Sequence, residues 1–445
     1  MSKKIKAKLT EGNIPSLLFR LTLPMIAGML SMTVFNLVDT LYIGQLGKNS
    51  LAAMSFTFPV VMVLNSIALG IGMGASAVIS RAIGQGNGEK VKRLATDSIL
   101  LALFVVAIFI ILGELTINPL FRAMGASEEI LVLIRSYMTI WYIGVIFVVI
   151  PMVGNNIIRA TGDIKTTSII MTFAAILNMI IDPLLIFGLG PFPAMGIAGG
   201  ALATVIARSF SMVFSLFILI KRERLLILKL PKLAELWSSW KQILFIGLPA
   251  ALSNIIIPVS MGFITRLVST YGVSAIAGFG VAGRLEMLAM LVIRSLAVVM
   301  VPFTGQNWGS GRKDRVKIGL KTAYTFSIVF GFIVFIFFYF ASYYFAWLFN
   351  RDQEVISTVV LYMRIIAVSY GFQGIFYIGT ASLNALHKPF HSAGLALSRM
   401  FLIYIPLALA GSYLLGLKGI FIGALTANII GGIITVIITG RQTEK

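Results

Sequence analysis

A chain of 445 residues with 58% hydrophobic and only 12% charged residues, at a mean hydropathy of +0.96, carries more apolar surface than a water-soluble core could absorb. The formal charge of +20 does not indicate nucleic-acid binding, because the basic residues gather in alternate loops rather than on one surface. Without cysteine there are no disulfides, thiolate metal sites or thiol nucleophiles.

Apolar, nearly uncharged stretches of about 20 residues or longer predict about twelve membrane spans. Their centres fall near Ser31, Ile67, Phe104, Tyr142, Leu177, Arg208, Ile255, Leu288, Phe332, Tyr370, Ile403 and Ile430. The runs are continuous and much longer than the roughly ten alternating residues of a barrel strand, so an all-α polytopic membrane protein is expected. The basic N-terminus leads into an apolar run with no short core ending in a small-residue cleavage site, and is expected to be a retained first span. Lys3, Lys4, Lys6 and Lys8 precede that span; Arg81, Lys90, Lys92 and Arg93 follow the second; Arg159 and Lys165 follow the fourth. Lys221, Arg222, Arg224, Lys229 and Lys232 follow the sixth, and Arg312, Lys313, Arg315 and Lys317 the eighth. The intervening loops are poor in Lys and Arg. The positive-inside rule then places both termini and the central loop in the cytoplasm of a cell (inner) membrane protein.

Residues 221–241, with Pro231 and two Trp, form the one long polar interval and divide the chain into an N-lobe (1–220, six spans), a linker and a C-lobe (242–445, six spans). The lobes repeat one another. Pro24 and Gly47 meet Pro249 and Gly272 at an offset of 225 (249 − 24), while Pro183 and Gly196 meet Pro406 and Gly419 at 223 (406 − 183). RAIGQGNGEKVKR at Arg81 echoes GQNWGSGRKDRVK at Gly305, pairing Gly84 with Gly305 at 221 (305 − 84); both are read as tight, basic cytoplasmic turns. Such parallel repeats are a familiar transporter design. The symmetry breaks at charge: Asp39 falls opposite Ile264, and Asp182 opposite Ile405. An ionisable group inside a membrane helix costs about 2.5–3.5 kcal/mol on translocon scales, so its presence in one repeat alone points to function.

On the first span Met32, Phe35, Asn36 and Asp39 share a helical face, and on the fifth Met171, Asn178 and Asp182 do so. Each face offers a carboxylate for a proton or cation and an amide oxygen one turn away, with apolar groups for a greasy substrate. Proton and cation compete for the same oxygens, which is the basis of exchange. Tyr137, Asn155 and Asn156 on the fourth span are the nearest groups to complete a polar cluster. Pro24, about four turns before Asp39, is a candidate hinge. In the second half Arg284 and Glu286, with Arg294 two turns on, read either as a compensated ion pair or as an auxiliary cation or substrate site. Arg208, Arg364 and Arg399 are expected to snorkel or pair. His387 and His391 lack the company of a metal site.

The segments NLVDTLYIGQLGKNSLAAMS, IRATGDIKTTSIIMTFAAILNMIIDPLLIFGLG and MGIAGGALATVIAR resemble the multidrug and toxic compound extrusion (MATE) family, especially its DinF-like branch, and the likeness runs over nearly the whole chain. The resemblance implies twelve helices in two pseudo-symmetric lobes forming a V. It also implies export of cationic amphipathic compounds in exchange for H⁺ or Na⁺ by alternating access. It assigns Asp39, Asn178 and Asp182 to a first-lobe cation site, with Tyr137, Asn155 and Asn156 near it, and a bend of the first helix to Pro24. Some relatives carry their principal carboxylates on the seventh and tenth spans, and here those spans hold no internal Asp or Glu.

The expected partners are small cationic amphipathic substrates and membrane lipids, with no nucleic acid, no cofactor beyond the coupling ion, and a monomer as the simplest state. The alternative is a lipid-linked precursor flippase of the same superfamily, whose cavity should hold basic groups for pyrophosphate. No HExxH, Asp-rich prenyl pyrophosphate or Ser-His motif suggests an enzyme.

Overall fold

The computed structural model describes residues 6–227 and 232–444, so Lys3, Lys4, Lys229 and Pro231 lie outside the described residues. The chain is almost wholly helical: α1 (Ile14–Gln45), α2 (Lys48–Gly84), α3 (Gly88–Ala123), α4 (Glu128–Ala160), α5 (Ile164–Phe187), α6 (Ile197–Phe217), α7 (Leu233–Ser269), α8 (Val273–Ala289), α9 (Leu291–Gly309), α10 (Lys313–Phe349), α11 (Gln353–Ile366), α12 (Tyr370–Ala385), α13 (Pro389–Leu397), α14 (Ile405–Leu415) and α15 (Leu417–Glu444). A 3₁₀ turn at Ala367–Ser369 joins α11 to α12, and a π-helical stretch at Ser398–Tyr404 joins α13 to α14. Among the described residues eleven resulting helices are long and apolar enough to cross a membrane, and they number twelve when α8 and α9, bent by 47° at a short break, are counted together as one span. That bend carries neither Pro nor Gly, and it falls between Glu286 and Arg294.

The chain divides into two compact units, one holding Leu23–Ala251 with Met1–Lys8, the other Leu9–Thr22 with Leu252–Lys445. The boundaries expected from polarity, at 220 and 242, therefore need correction. Hydrogen bonds explain the placement of the N-terminal segment: Gln306 Oε1 accepts from the Leu9 amide at 3.0 Å, and Asn307, Arg312 and Arg315 donate to the carbonyls of Leu9, Thr10 and Gly12. The first part of α7 stays with the first unit because glycines let backbones meet. A Cβ at Gly70 would lie 2.4 Å from the Gly247 carbonyl oxygen, and one at Gly74 2.3 Å from that of Ile243. The supposed linker is likewise shorter than its polarity suggests, since α7 begins at Leu233. Trp240 docks on α3, donating Nε1–H to the Asp97 carbonyl at 3.0 Å.

Within the first unit α4 packs against α2, α3 and α6 and is the most buried span; α12 packs against α9, α10 and α15 in the second. The close approach of α4 to α6 requires small residues, because a Cβ on Gly144 or Gly154 would meet Val205 or Ser215 within 2.3 Å.

Backbone conformation fixes the repeat more firmly than sequence does. Gly47 and Gly272 share an unusual geometry (φ 106°, ψ 179° and φ 104°, ψ 172°) at the expected offset of 225. The left-handed residues Gly86 and Gly162 meet Gly311 and His387 at the same offset (311 − 86, 387 − 162). The basic glycine loops therefore align at 225 rather than 221. Only the last hairpin differs: Gly196 (φ 58°, ψ −134°) matches Gly416 (φ 61°, ψ −144°) at 220 (416 − 196), because the loop before it is five residues shorter in the second half. Gly196 thus does not pair with Gly419, and Asp182 stands opposite Leu407 rather than Ile405. The asymmetry survives the correction, an apolar residue still facing each acid.

At the start of α5, outside the membrane-spanning part, Asp163 caps the helix: its Oδ1 accepts from the Thr166 amide at 3.0 Å, and its other oxygen pairs with Arg222. Burial opposes the charge of this carboxyl, yet the bonds from Thr166 and Arg222 prevail and hold it below the usual carboxylate range. With the folded-state value depressed, its stabilisation is present above the unfolded value of about 3.9 and is lost as pH falls through the folded one. Asp163→Ala is expected to cost about 1 kcal/mol at pH 7. Thermal unfolding in detergent against pH measures this, and the difference from the native protein should vanish at the acid end.

Candidate cation site

Asp182 ends a sequence of constraints on α5. Its cap at Asp163 and its left-handed Gly188 (φ 72°) set the ends, and Pro183 lacks the N–H that the Met179 carbonyl would otherwise receive. The chain then turns back tightly, the Met195 and Gly196 amides donating to the carbonyls of Leu185 and Ile186. Gly199 lets α6 lie against α5, since a Cβ there would sit 2.5 Å from the Leu185 oxygen. Asp182 is 0% exposed and Asn178, one turn before it, 2%. Neither Asp182 oxygen has a hydrogen-bond partner among the described residues, nor does Asn178 Oδ1. Asn178 Nδ2 donates weakly to Thr204 Oγ1 on α6, at 3.4 Å.

Asp39, half-buried on α1, approaches the first turns of α6: a Cβ at Gly200 would lie 3.7 Å from its Oδ1. The charges of Asp39 and Asp182 act on one another, and both act on Tyr137, which is buried on α4. Three helices and the start of a fourth thus bring two carboxyls, a phenol and an amide into one electrostatic neighbourhood. Next to it runs a narrow cavity lined by Met32 and Phe35 of α1, Ala174, Ala175 and Asn178 of α5, and Thr204, Ala207 and Arg208 of α6.

Other expected members stand apart. Asn36 is exposed, because it lies at the edge of the arc that Phe35, Asp39 and Met32 define at 100° per residue. Met171 does not line the cavity. Asn156 Nδ2 donates to the Met152 carbonyl of its own helix at 2.8 Å and touches Gly72, whereas Asn155 is buried with its Oδ1 unpartnered. Pro24 is accommodated within a continuous α1.

Sequence reasoning missed two acids, Glu114 and Asp97, and the place of Arg208. Glu114 on α3 is a further half-buried acid, with Oε1 unpartnered and Oε2 at 3.5 Å from Thr139 Oγ1. Asp97, fully buried near the start of α3, pairs with Arg93 at 2.9 Å. Arg208, expected only to snorkel or pair, lines the cavity with no hydrogen-bond or ion-pair partner among the described residues. Glu114 and Arg208 interrupt long apolar runs, which is the signal that could have found them.

In the second unit Glu286 forms no ion pair among the described residues, contrary to the compensated-pair reading. It accepts from Tyr362 Oη at 2.5 Å and from Gln373 Nε2 at 2.9 Å, while Arg284 is exposed and contributes nothing to it.

The MatE family model matches the chain once in each half, over residues 24–184 and 249–410. The chain belongs to the MATE family. As a MATE protein it is a multi-pass membrane transporter and not an enzyme. It is 37% identical to the FAD transporter of Shewanella oneidensis, over 98% of this chain and 96% of that one. It is 26% identical to the multidrug export protein MepA of Staphylococcus aureus, over 92% and 89%. In structure it resembles the Vibrio cholerae MATE transporter VcmN in its bent form, with a TM-score of 0.92, 29% identity and 97% of both chains covered. A Pyrococcus furiosus transporter of the MOP superfamily, described as having a binding pocket of reverse polarity, superposes with a TM-score of 0.91 at 25% identity, over 100% and 99%.

Proposed function

We propose that this MATE protein is a secondary active exporter in which H⁺ or Na⁺, bound at Asp39, Asp182 and Asn178, is exchanged for an amphipathic substrate. The observation that carries this reading is the pair of Asp182 oxygens, fully buried and unpartnered one helical turn from an unpartnered amide oxygen. A buried carboxylate in that state calls for a proton or a cation. Exchange follows if the ion favours one orientation of the transporter and the substrate the other, since a ligand of equal affinity for both shifts nothing. The loop charges support an inner-membrane protein with both termini cytoplasmic.

For the substrate, the multidrug relatives near 26% identity support a cationic amphipathic compound. A second reading, export of a flavin dinucleotide, is favoured by the 37% identity to a protein named FAD transporter. It is also favoured by Arg208, a cation without a partner beside the cavity, which suits an anionic substrate better than a cationic one.

The test is efflux of ethidium and of FAD from proteoliposomes under an imposed pH or sodium gradient, each collapsed separately by its ionophore. One ionophore is expected to bring efflux down to the leak rate, and the transported compound decides the substrate class. Uphill efflux that persists with neither gradient removes the exchange reading.

A further inference from the structure

The second lobe places a cationic group where the first has its candidate cation site. At the offset of 225 Arg399 takes the place of Ala174, and at the 220 of the last hairpin Asn428 takes the place of Arg208; both first-lobe residues line the cavity beside Asn178. Arg399 is 6% exposed, and its Nη1 donates to Asn428 Oδ1 at 3.1 Å. Its guanidinium carbon lies 4.0 Å from the centre of the Phe376 ring and 6.0 Å from that of Tyr377. Arg294 approaches the same Tyr377 ring at 5.1 Å and donates to its hydroxyl at 3.3 Å. The chain makes room for Arg399 in two ways. The helix widens to π geometry over Ser398–Tyr404, and Gly431 lacks a Cβ that would lie 2.8 Å from the Arg399 side chain.

The charges do not balance. Glu286 is the one acid among the residues described around this cluster, and both its oxygens are occupied by Tyr362 and Gln373. Two guanidiniums against one carboxylate leave an excess positive charge, and Nε of both Arg294 and Arg399 is buried with no acceptor. A buried cationic donor left unsatisfied is costly, and an incoming oxyanion relieves it with charge-assisted bonds. The Phe376 and Tyr377 rings, packed with Leu383 and Leu395, supply no acceptor for those Nε atoms.

We propose that the Arg294–Arg399 cluster is a binding site for the phosphate group of an amphipathic ligand. It stands whether or not the first-lobe exchange reading does, and it needs no transport to be observed. The phosphate could belong to a soluble compound or to a lipid headgroup.

The measurement is quenching of flavin fluorescence when flavin mononucleotide or riboflavin, which lacks the phosphate, binds the protein in zwitterionic nanodiscs. Flavin mononucleotide should bind at least about tenfold more tightly, the discrimination expected of one charge-assisted bond. Arg399→Gln should erase the preference while leaving riboflavin binding in place, and Arg399→Lys should keep part of it. If phosphatidylglycerol in the nanodisc displaces flavin mononucleotide and inorganic pyrophosphate does not, the natural occupant is a lipid; the reverse result indicates a soluble ligand. Equal binding of the two flavins, binding of neither, or an undiminished preference in Arg399→Gln overturns the proposal.

Discussion

Asp182→Asn should abolish coupled efflux while leaving the protein folded, with transport falling by at least about 100-fold to the leak, because a site that no longer distinguishes ion-bound from ion-free states shifts no population. The fold should survive because neither Asp182 oxygen accepts a hydrogen bond that the substitution would break. Stability without ion is therefore expected to stay within about 1 kcal/mol of native. The sharper readout is linkage: the coupling ion should raise the melting temperature of the native protein and leave that of the variant unchanged. Asp39→Asn should lose coupling in the same way, since the charges of the two acids act on one another. A variant lacking both acids that still moved substrate uphill would remove the site altogether.

The largest effect on stability is expected at the α14–α15 hairpin. Gly411 and Gly419 bring two backbones together so closely that a Cβ on Gly419 would lie 1.9 Å from the Gly411 oxygen, an atom that cannot swing aside. Gly419→Leu must pry the helices apart and should cost about 3 kcal/mol or more. Gly262→Leu is the control, because a Cβ there meets nothing within 4 Å. Thermal unfolding in one detergent compares them, and a Gly419→Leu protein as stable as the control would show that the approach is not required.

Much of this was legible in the chain. Continuous apolar runs announced twelve spans, and a carboxylate in the middle of such a run, as at Asp182, is conspicuous because nothing else there is charged. The repeat was legible too, but its register was not. Short glycine motifs align as well at 221 or 223 as at 225, and only backbone dihedrals, at Gly86 with Gly311 and Gly162 with His387, separate these choices. Partner choice was the least legible. Nothing near Glu286 in sequence says that it turns to Tyr362 and Gln373 and away from Arg284, since both donors arrive from helices more than 70 residues on. The same holds for Arg208, left facing a cavity, and for Arg399, which meets Asn428 only through the π-widened turn.

The membership of the two units cuts across the repeat. Residues 9–22, which lead into the first span, belong with the second unit, and their counterparts at 234–247 belong with the first. Each repeat thus surrenders its opening arm to its twin. Neither unit is therefore a complete copy of one repeat, and a cut at the repeat boundary would strip each half of residues that its own unit contains.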